Sequence, residues 1–218
     1  VYTSYTEIFE PQNYLDINGN YLNPVQGENY ETGFKGAWYG GRLNASVAVF
    51  RSGKDNMPVL LYNADGSTVR GLGGSIAYAA EDHSRAEGWE MEVSGELLPG
   101  WQLQAGYSDS RLRNSAGNVM NYTIPRQLFK LFTSYKPKSM SKLTIGGGLR
   151  WQSERRGNTS ASTSEERVRA SSIGSYSLVD LTARYEFTKN ITMMLNLNNV
   201  FNKDHRRPNT PNLSLIHI

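Results

Sequence analysis

Apolar and polar positions alternate with a period of two along most of the chain. Trp89, Met91, Val93, Gly95 and Leu97 interleave with Gly88, Glu90, Glu92, Ser94 and Glu96. On a β-strand the two sets fall on opposite faces, one apolar and one carrying three carboxylates. After Pro99-Gly100 the pattern resumes, with Trp101, Leu103, Ala105 and Tyr107 opposing Gln102, Gln104, Gly106 and Ser108. It recurs over Leu143 to Gln152, Val179 to Phe187 and Ile191 to Asn198. Weaker versions lie at Val1 to Phe9, Glu28 to Trp38, Arg42 to Ser52 and Arg126 to Tyr135. The pattern predicts about nine or ten antiparallel strands and no amphipathic helix.

The connections alternate in length as well. Those at 39–41, 98–100, 136–142 and 188–190 are short, whereas 10–27, 53–85, 114–125 and 153–174 are long. Strands of about ten residues, with short turns at one end and long loops at the other, are the signature of a transmembrane β-barrel. Aromatic residues fall where such a barrel meets the lipid–water boundaries. Trp38, Tyr39, Trp101, Tyr135 and Phe187 lie beside the short turns; Trp89, Tyr107, Trp151 and Tyr176 lie toward the long loops. A soluble β-sandwich with aromatics at its edges is the competing arrangement.

Composition narrows the choice. The 218 residues are 38% hydrophobic and 11% aromatic, with mean hydropathy −0.54. That apolar fraction is low for a packed soluble core, while the aromatic content suits interfacial belts. Cysteine is absent, which excludes disulfides, thiolate metal sites and a Cys nucleophile. No apolar run approaches the roughly 20 residues of a spanning helix. The net charge of +3 is small and scattered, so no basic element predicts nucleic-acid binding. Val1-Tyr2-Thr3-Ser4-Tyr5 reads as the middle of a strand rather than as a signal peptide. An open sheet edge cannot persist in hydrocarbon. The strands counted here are therefore expected to be part of a larger closed barrel.

The ordered motifs resemble those of TonB-dependent outer-membrane receptors. Glu28-Asn29-Tyr30-Glu31-Thr32-Gly33-Phe34-Lys35-Gly36 is similar to that family's recurring strand motif. Gly41 to Phe50 and Ala86 to Gly95 are similar to its next strands in order. Leu195 to Lys203 resembles the segment before its last strand. Tyr5-Thr6-Glu7-Ile8-Phe9 with Pro11-Gln12 is similar to the ferric-siderophore branch, and within it to receptors for hydroxamates such as ferric coprogen. The resemblance implies an all-β fold: an antiparallel transmembrane β-barrel fragment, about nine or ten strands of a barrel of about 22, with the plug absent. It covers 1–203; the stretch 204–218 departs from the family and resembles translated adapter sequence. It also implies a bacterial outer-membrane location and TonB-energised uptake of a ferric siderophore. The partners implied are outer-membrane lipid and lipopolysaccharide, TonB through an N-terminal region absent here, and no nucleic acid. The full-length protein is expected to be a monomer. A passive porin or secretion-type barrel is the alternative, and an outer-membrane hydrolase a third.

Candidate chemistry is sparse. Glu81-Asp82-His83 could be imagined as a metal or base site, but a contiguous run lacks ligand spacing and reads as a solvated loop. His205 and His217 lie in the atypical stretch. No serine sits in a nucleophile elbow. Gly71-Leu72-Gly73-Gly74 lacks the strand–turn–helix of a dinucleotide site. Glu90, Glu92 and Glu96 read as an inward wall that hydrogen-bonds a plug, and Gly146-Gly147-Gly148 as room for that plug. No catalysis, no cofactor and no metal ligands are expected. A ferric siderophore already satisfies its iron, so a receptor needs aromatic faces and cationic donors instead. Tyr62, Tyr78 and Tyr122 supply the first; Arg70, Arg85 and Arg155 the second. The Ser/Thr-rich stretch 158–164 reads as a mobile loop.

Overall fold

The computed structural model describes residues 1–117, 119, 124–155 and 172–204. Eleven strands lie among them: β1 (Tyr2–Glu10), β2 (Val25–Trp38), β3 (Leu43–Asp55), β4 (Met57–Leu60), β5 (Tyr78–Glu81), β6 (Ser84–Leu98), β7 (Trp101–Arg113), β8 (Gln127–Tyr135), β9 (Leu143–Gln152), β10 (Tyr176–Thr188) and β11 (Ile191–Leu197). Nine form one sheet in the order β1-β2-β3-β6-β7-β8-β9-β10-β11, and β4 and β5 pair separately. Every neighbour in the large sheet is thus the next strand of that sheet along the chain, the topology of an antiparallel meander. The period-2 stretches are its strands. The stretch 53–85, expected as one long connection, instead holds the β4–β5 hairpin. Its strands are only four residues each, too short for alternation to register.

The described residues cluster into two compact units. In the unit containing β8 to β11, the registers assign the faces. Arg150 pairs with Lys130 and Leu178, and Leu149 with Leu131 and Val179. One face therefore carries Gln104, Lys130, Ser134, Thr144, Arg150, Asp180, Thr182 and Arg184. The other carries Leu103, Leu131, Leu149, Val179, Leu181, Leu195 and Leu197. The Arg150 guanidinium donates to Asp180 at 2.8 Å on the polar face. The alternation is imperfect, since Leu128, Phe132 and Met194 share the polar face.

The apolar face is not covered. Ile145, Leu181, Leu195 and Leu197 are each about half exposed, and Met91 is 44% exposed. Among the described residues, only Val25, Ala48, Ala77 and Leu178 form a buried apolar set. A sandwich would bury Met91 and its counterparts between two sheets; that expectation fails here. Bare apolar strands of this length suit a hydrocarbon solvent.

Two glycines are demanded by packing within this unit. Gly95 has φ +136°, and a Cβ there would lie 1.9 Å from the Arg42 carbonyl oxygen. The Glu96 N–H donates to that same carbonyl at 2.8 Å, so the two strands approach where only glycine fits. A Cβ on Gly146 would lie 2.9 Å from the Thr133 carbonyl oxygen. Close strand approach accounts for Gly146, whose absent side chain was expected to make room for a plug.

In the unit containing β1, β4 and β5, two loop segments are zipped together. Leu15 bridges Tyr21 and Ala77, and its carbonyl accepts from the Tyr78 N–H at 2.8 Å. Ala77 donates its N–H to Val69, accepts from Leu61, and is fully buried. The Leu72 N–H reaches the Ile17 carbonyl at 3.0 Å, and the Tyr14 and Tyr78 rings stack tilted at 4.5 Å. The Gln12 amide donates to the carbonyls of Asn23 and Asn56, and the Asn56 amide to that of Pro24 at 3.1 Å. The long segment after β1 is thereby fastened to the β4–β5 hairpin.

Candidate functional site

The binding residues expected from the sequence are only partly gathered. Tyr62 bridges Thr68 through its backbone and is 58% exposed. Arg70 bridges Ile76 and donates from Nη1 to the Gly74 carbonyl at 2.6 Å, closing its own loop. A guanidinium has five N–H donors, so others remain. Tyr78 is half-buried against Tyr14 and fixes the loop package more than it offers a free face. These three belong to one package. Arg85 is the second residue of β6 and lines a different groove with Arg51, Glu7 and Glu28. Arg155 belongs to the other unit, where its backbone exchanges two 2.8 Å hydrogen bonds with Ile173. Tyr122, the stretch 158–164 and residues 205–218 lie outside the described residues.

The loop package presents residues that the sequence reading did not single out. Tyr21 is 71% exposed, Leu72 76% and Ile17 53%. With Tyr62 and Arg70 they give an aliphatic and aromatic surface with one cationic donor. These exposed apolar groups on a hydrogen-bonded scaffold make the package the candidate surface to test. The visible signal was two tyrosines, Tyr14 and Tyr21, inside a polar connection. Two carboxylates fix the turns beneath. Asp16 accepts from the N–H groups of Asn18 and Asn20, and Asp65 from the N–H and hydroxyl of Ser67. Backbone donation from Asn20 at Asp16, and hydroxyl and backbone donation from Ser67 at Asp65, lower both carboxyls below their ordinary value.

The acidic run around His83 resolves into a clasp. Asp55 pairs with His83 Nδ1 at 3.3 Å and accepts the His83 N–H at 2.6 Å, while Asp82 accepts the Asn56 N–H. Glu81 faces Ser115 instead. No group of three His, Asp or Glu suited to a metal occurs among the described residues. Glu96, read as part of a wall for a plug, is engaged locally: it accepts the Gly100 N–H at 2.8 Å and pairs with Arg42 at 3.6 Å. Glu90 and Glu92 remain on a groove with Lys130, Arg150 and Asp180.

The comparisons with known proteins agree with this geometry. The family described as "TonB dependent receptor-like, beta-barrel" matches residues 1–200. The ferripyoverdine receptor of Pseudomonas aeruginosa is 40% identical over 211 residues, covering 94% of this chain and 25% of that protein. The ferric-pyoverdine 358 receptor of Pseudomonas putida is 37% identical over 206 residues, covering 94% and 24%. The crystal structure of the ferripyoverdine receptor of the P. aeruginosa outer membrane, bound to ferripyoverdine, superposes with a TM-score of 0.78 at 37% identity. It covers 92% of this chain and 27% of that one. The chain spans about a quarter of the length of the curated relatives it matches.

Proposed function

Because the chain belongs to the TonB dependent receptor-like β-barrel family, we propose that it is part of a receptor for TonB-energised uptake of a ferric siderophore. It is an outer-membrane β-barrel segment. Its strands supply barrel wall, and its long connections supply part of the surface that meets the ligand. The observation that carries the reading is the 40% identity to a ferripyoverdine receptor across nearly the whole chain. The exposed Tyr62, Arg70, Tyr21 and Leu72 on one hydrogen-bonded loop package support it.

The proposed ligand loops are those of Tyr62, Arg70, Tyr78, Tyr122 and Arg155. Arg85 faces a separate groove and is left out. The iron travels as the cargo's own chelate, and the chain supplies donors to its organic shell. The relatives are receptors by name, which favours binding and transport over catalysis. They also favour a pyoverdine-type ligand over the ferric-coprogen or other hydroxamate class, which becomes the second class to assay. TonB would engage a region outside this chain, and lipid and lipopolysaccharide would surround a monomeric barrel.

The test is radio-iron uptake in a pyoverdine-receptor-deficient Pseudomonas carrying the full-length parent gene. TonB-dependent uptake of a ferric pyoverdine, or failing that of ferric coprogen, supports the reading. Passive, TonB-independent passage of small solutes would favour the porin alternative.

A further inference from the structure

A shallow groove of about 450 Å³ lies on the opposite side of the wall from Asn29 and Ser52. The Ser52 hydroxyl donates to Asn29 Oδ1 at 2.6 Å, so these two share one face. Arg51, Glu28 and Tyr30, one residue away, therefore share the other. A Cβ on Gly53 would meet the Glu28 side chain at 3.7 Å, which places Gly53 on that other face too. Along the same strands this face carries Val49 and Phe34, exposed by 57% and 49%. On the barrel reading, on which this inference rests, it is the face turned to lipid. Tyr30 and Glu28 lie four and six residues nearer the loops than Phe34, at roughly 3.3 Å per residue. The groove thus falls where the apolar band gives way to headgroups.

Its chemistry is mixed. The Tyr5 and Tyr30 rings lie 5.0 Å apart. Each hydroxyl donates to a carboxylate on its own strand: Tyr5 to Glu7 at 2.8 Å, Tyr30 to Glu28 at 3.0 Å. Glu7 and Glu28 are direct cross-strand partners, an arrangement that costs stability unless a cation joins them. Arg51 and Arg85 line the same groove, both exposed. Neither has an ion pair or side-chain hydrogen bond among the described residues. Two unengaged guanidinium forks beside a tyrosine pair at headgroup depth are equipped for phosphate on a membrane-anchored sugar.

We propose that Arg51, Arg85 and the Tyr5–Tyr30 pair form an outward-facing docking site for the phosphorylated headgroup of an outer-leaflet glycolipid. The guanidinium groups take phosphate oxygens and the rings pack against the sugar. The opposed Glu7 and Glu28 take the divalent cation that accompanies such phosphates. A plain anion would be repelled by these carboxylates, whereas a phosphate bridged by a divalent cation is not.

The test uses the full-length parent receptor in detergent micelles with magnesium, and measures binding of diphosphorylated lipid A and of its dephosphorylated form by native mass spectrometry. Wild-type receptor should bind the diphosphorylated form about tenfold more tightly, the factor of one charge-assisted contact. The double variant Arg51→Ala/Arg85→Ala should lose that preference. Arg42→Ala, at a short turn, should keep it. Equal binding of both lipids by wild type overturns the proposal without any variant, and so does an unchanged preference in the double variant. Should the alanine variant fail to assemble, Arg51→Lys/Arg85→Lys preserves charge without the fork and should show a reduced preference; full preference there overturns the bidentate assignment. Wild-type ferric-siderophore binding, measured in the same preparation, reports separately on the receptor reading.

Discussion

The apolar face of β8 to β11 and the loop package around Ala77 solve opposite problems. The first exposes leucines, isoleucine and methionine in long regular strands and buries almost none of them. The second has strands of only four residues, yet buries Ala77 completely and satisfies the N–H and carbonyl of that residue within the package. One is built for a solvent that is itself apolar, the other for water. Exposure therefore means different things in the two regions. On the proposed reading, exposure on the sheet is lipid contact and exposure on the loops is a surface for a ligand.

The largest effect should come from breaking the lipid face. Leu149→Arg in the full-length parent should cost about 2–4 kcal/mol at the bilayer midplane and sharply reduce folded receptor. Arg150→Ala removes the 2.8 Å ion pair to Asp180 on the polar face and should be much milder, about 1 kcal/mol or less. Heat-modifiable receptor in isolated outer membranes is the readout. Equal losses would erase the distinction between faces.

Next in size is the loop package. Ala77→Leu places a larger side chain where none is exposed to solvent, an overpacking worth about 1–3 kcal/mol. It should open the Leu15–Ala77 bridge and admit protease to 11–24 and 61–77, while the barrel stays heat-modifiable. Loss of the barrel as well would mean that the loops and the wall are not separable. Tyr62→Ala/Arg70→Ala should leave both regions intact and weaken ferric-siderophore binding by about 1–3 kcal/mol. Unchanged binding at normal receptor abundance would move the ligand to surfaces other than this package.

These two regions also differ in how they could be read from sequence. The wall was legible because strand periodicity is local: Leu143 to Gln152 declares both faces in ten residues. The pairing partner of each strand followed from chain order. The package was not legible because its bridges join Leu15 to Ala77 and Leu72 to Ile17, far apart in sequence and without periodic signal. Arg70 illustrates the limit. Its type and place suggested a ligand donor, but only coordinates show one of its nitrogens spent on Gly74. Arg85 lines a different groove for another reason: strand parity at the start of β6 decides which side it takes, and the expected loop hid that start. Glu96 was read as part of an inward wall, yet its partners, Arg42 and the Gly100 N–H, come from neighbouring turns.

The smallest effect concerns pH. Asp16 and Asp65 have carboxyls held below their ordinary value of 3.8 by hydrogen bonds to the ionised form. A depressed folded value means that the turn stabilisation is present above the unfolded value near 3.8. It is lost as pH falls through the folded one. The exchange rate of 16–20 and 65–67, taken relative to that of an unstructured chain at the same pH, should therefore be flat from neutral pH down to the ordinary carboxylate range, and rise only below it. In Asp16→Asn the rise at 16–20 should vanish.

The central claim is that β9 is a membrane strand with Leu149 toward lipid and Arg150 toward the lumen. The chain contains no cysteine, so, with any cysteine elsewhere in the full-length parent replaced, single substitutions Ile145→Cys, Leu149→Cys, Gly148→Cys and Arg150→Cys can be spin-labelled in native outer membranes. Accessibility to oxygen, which concentrates in lipid, is compared with accessibility to a water-soluble nickel chelate. The account predicts high oxygen accessibility at 145 and 149 and high nickel accessibility at 148 and 150, alternating residue by residue. Equal nickel accessibility at all four positions, or oxygen accessibility at 150 matching that at 149, would contradict it.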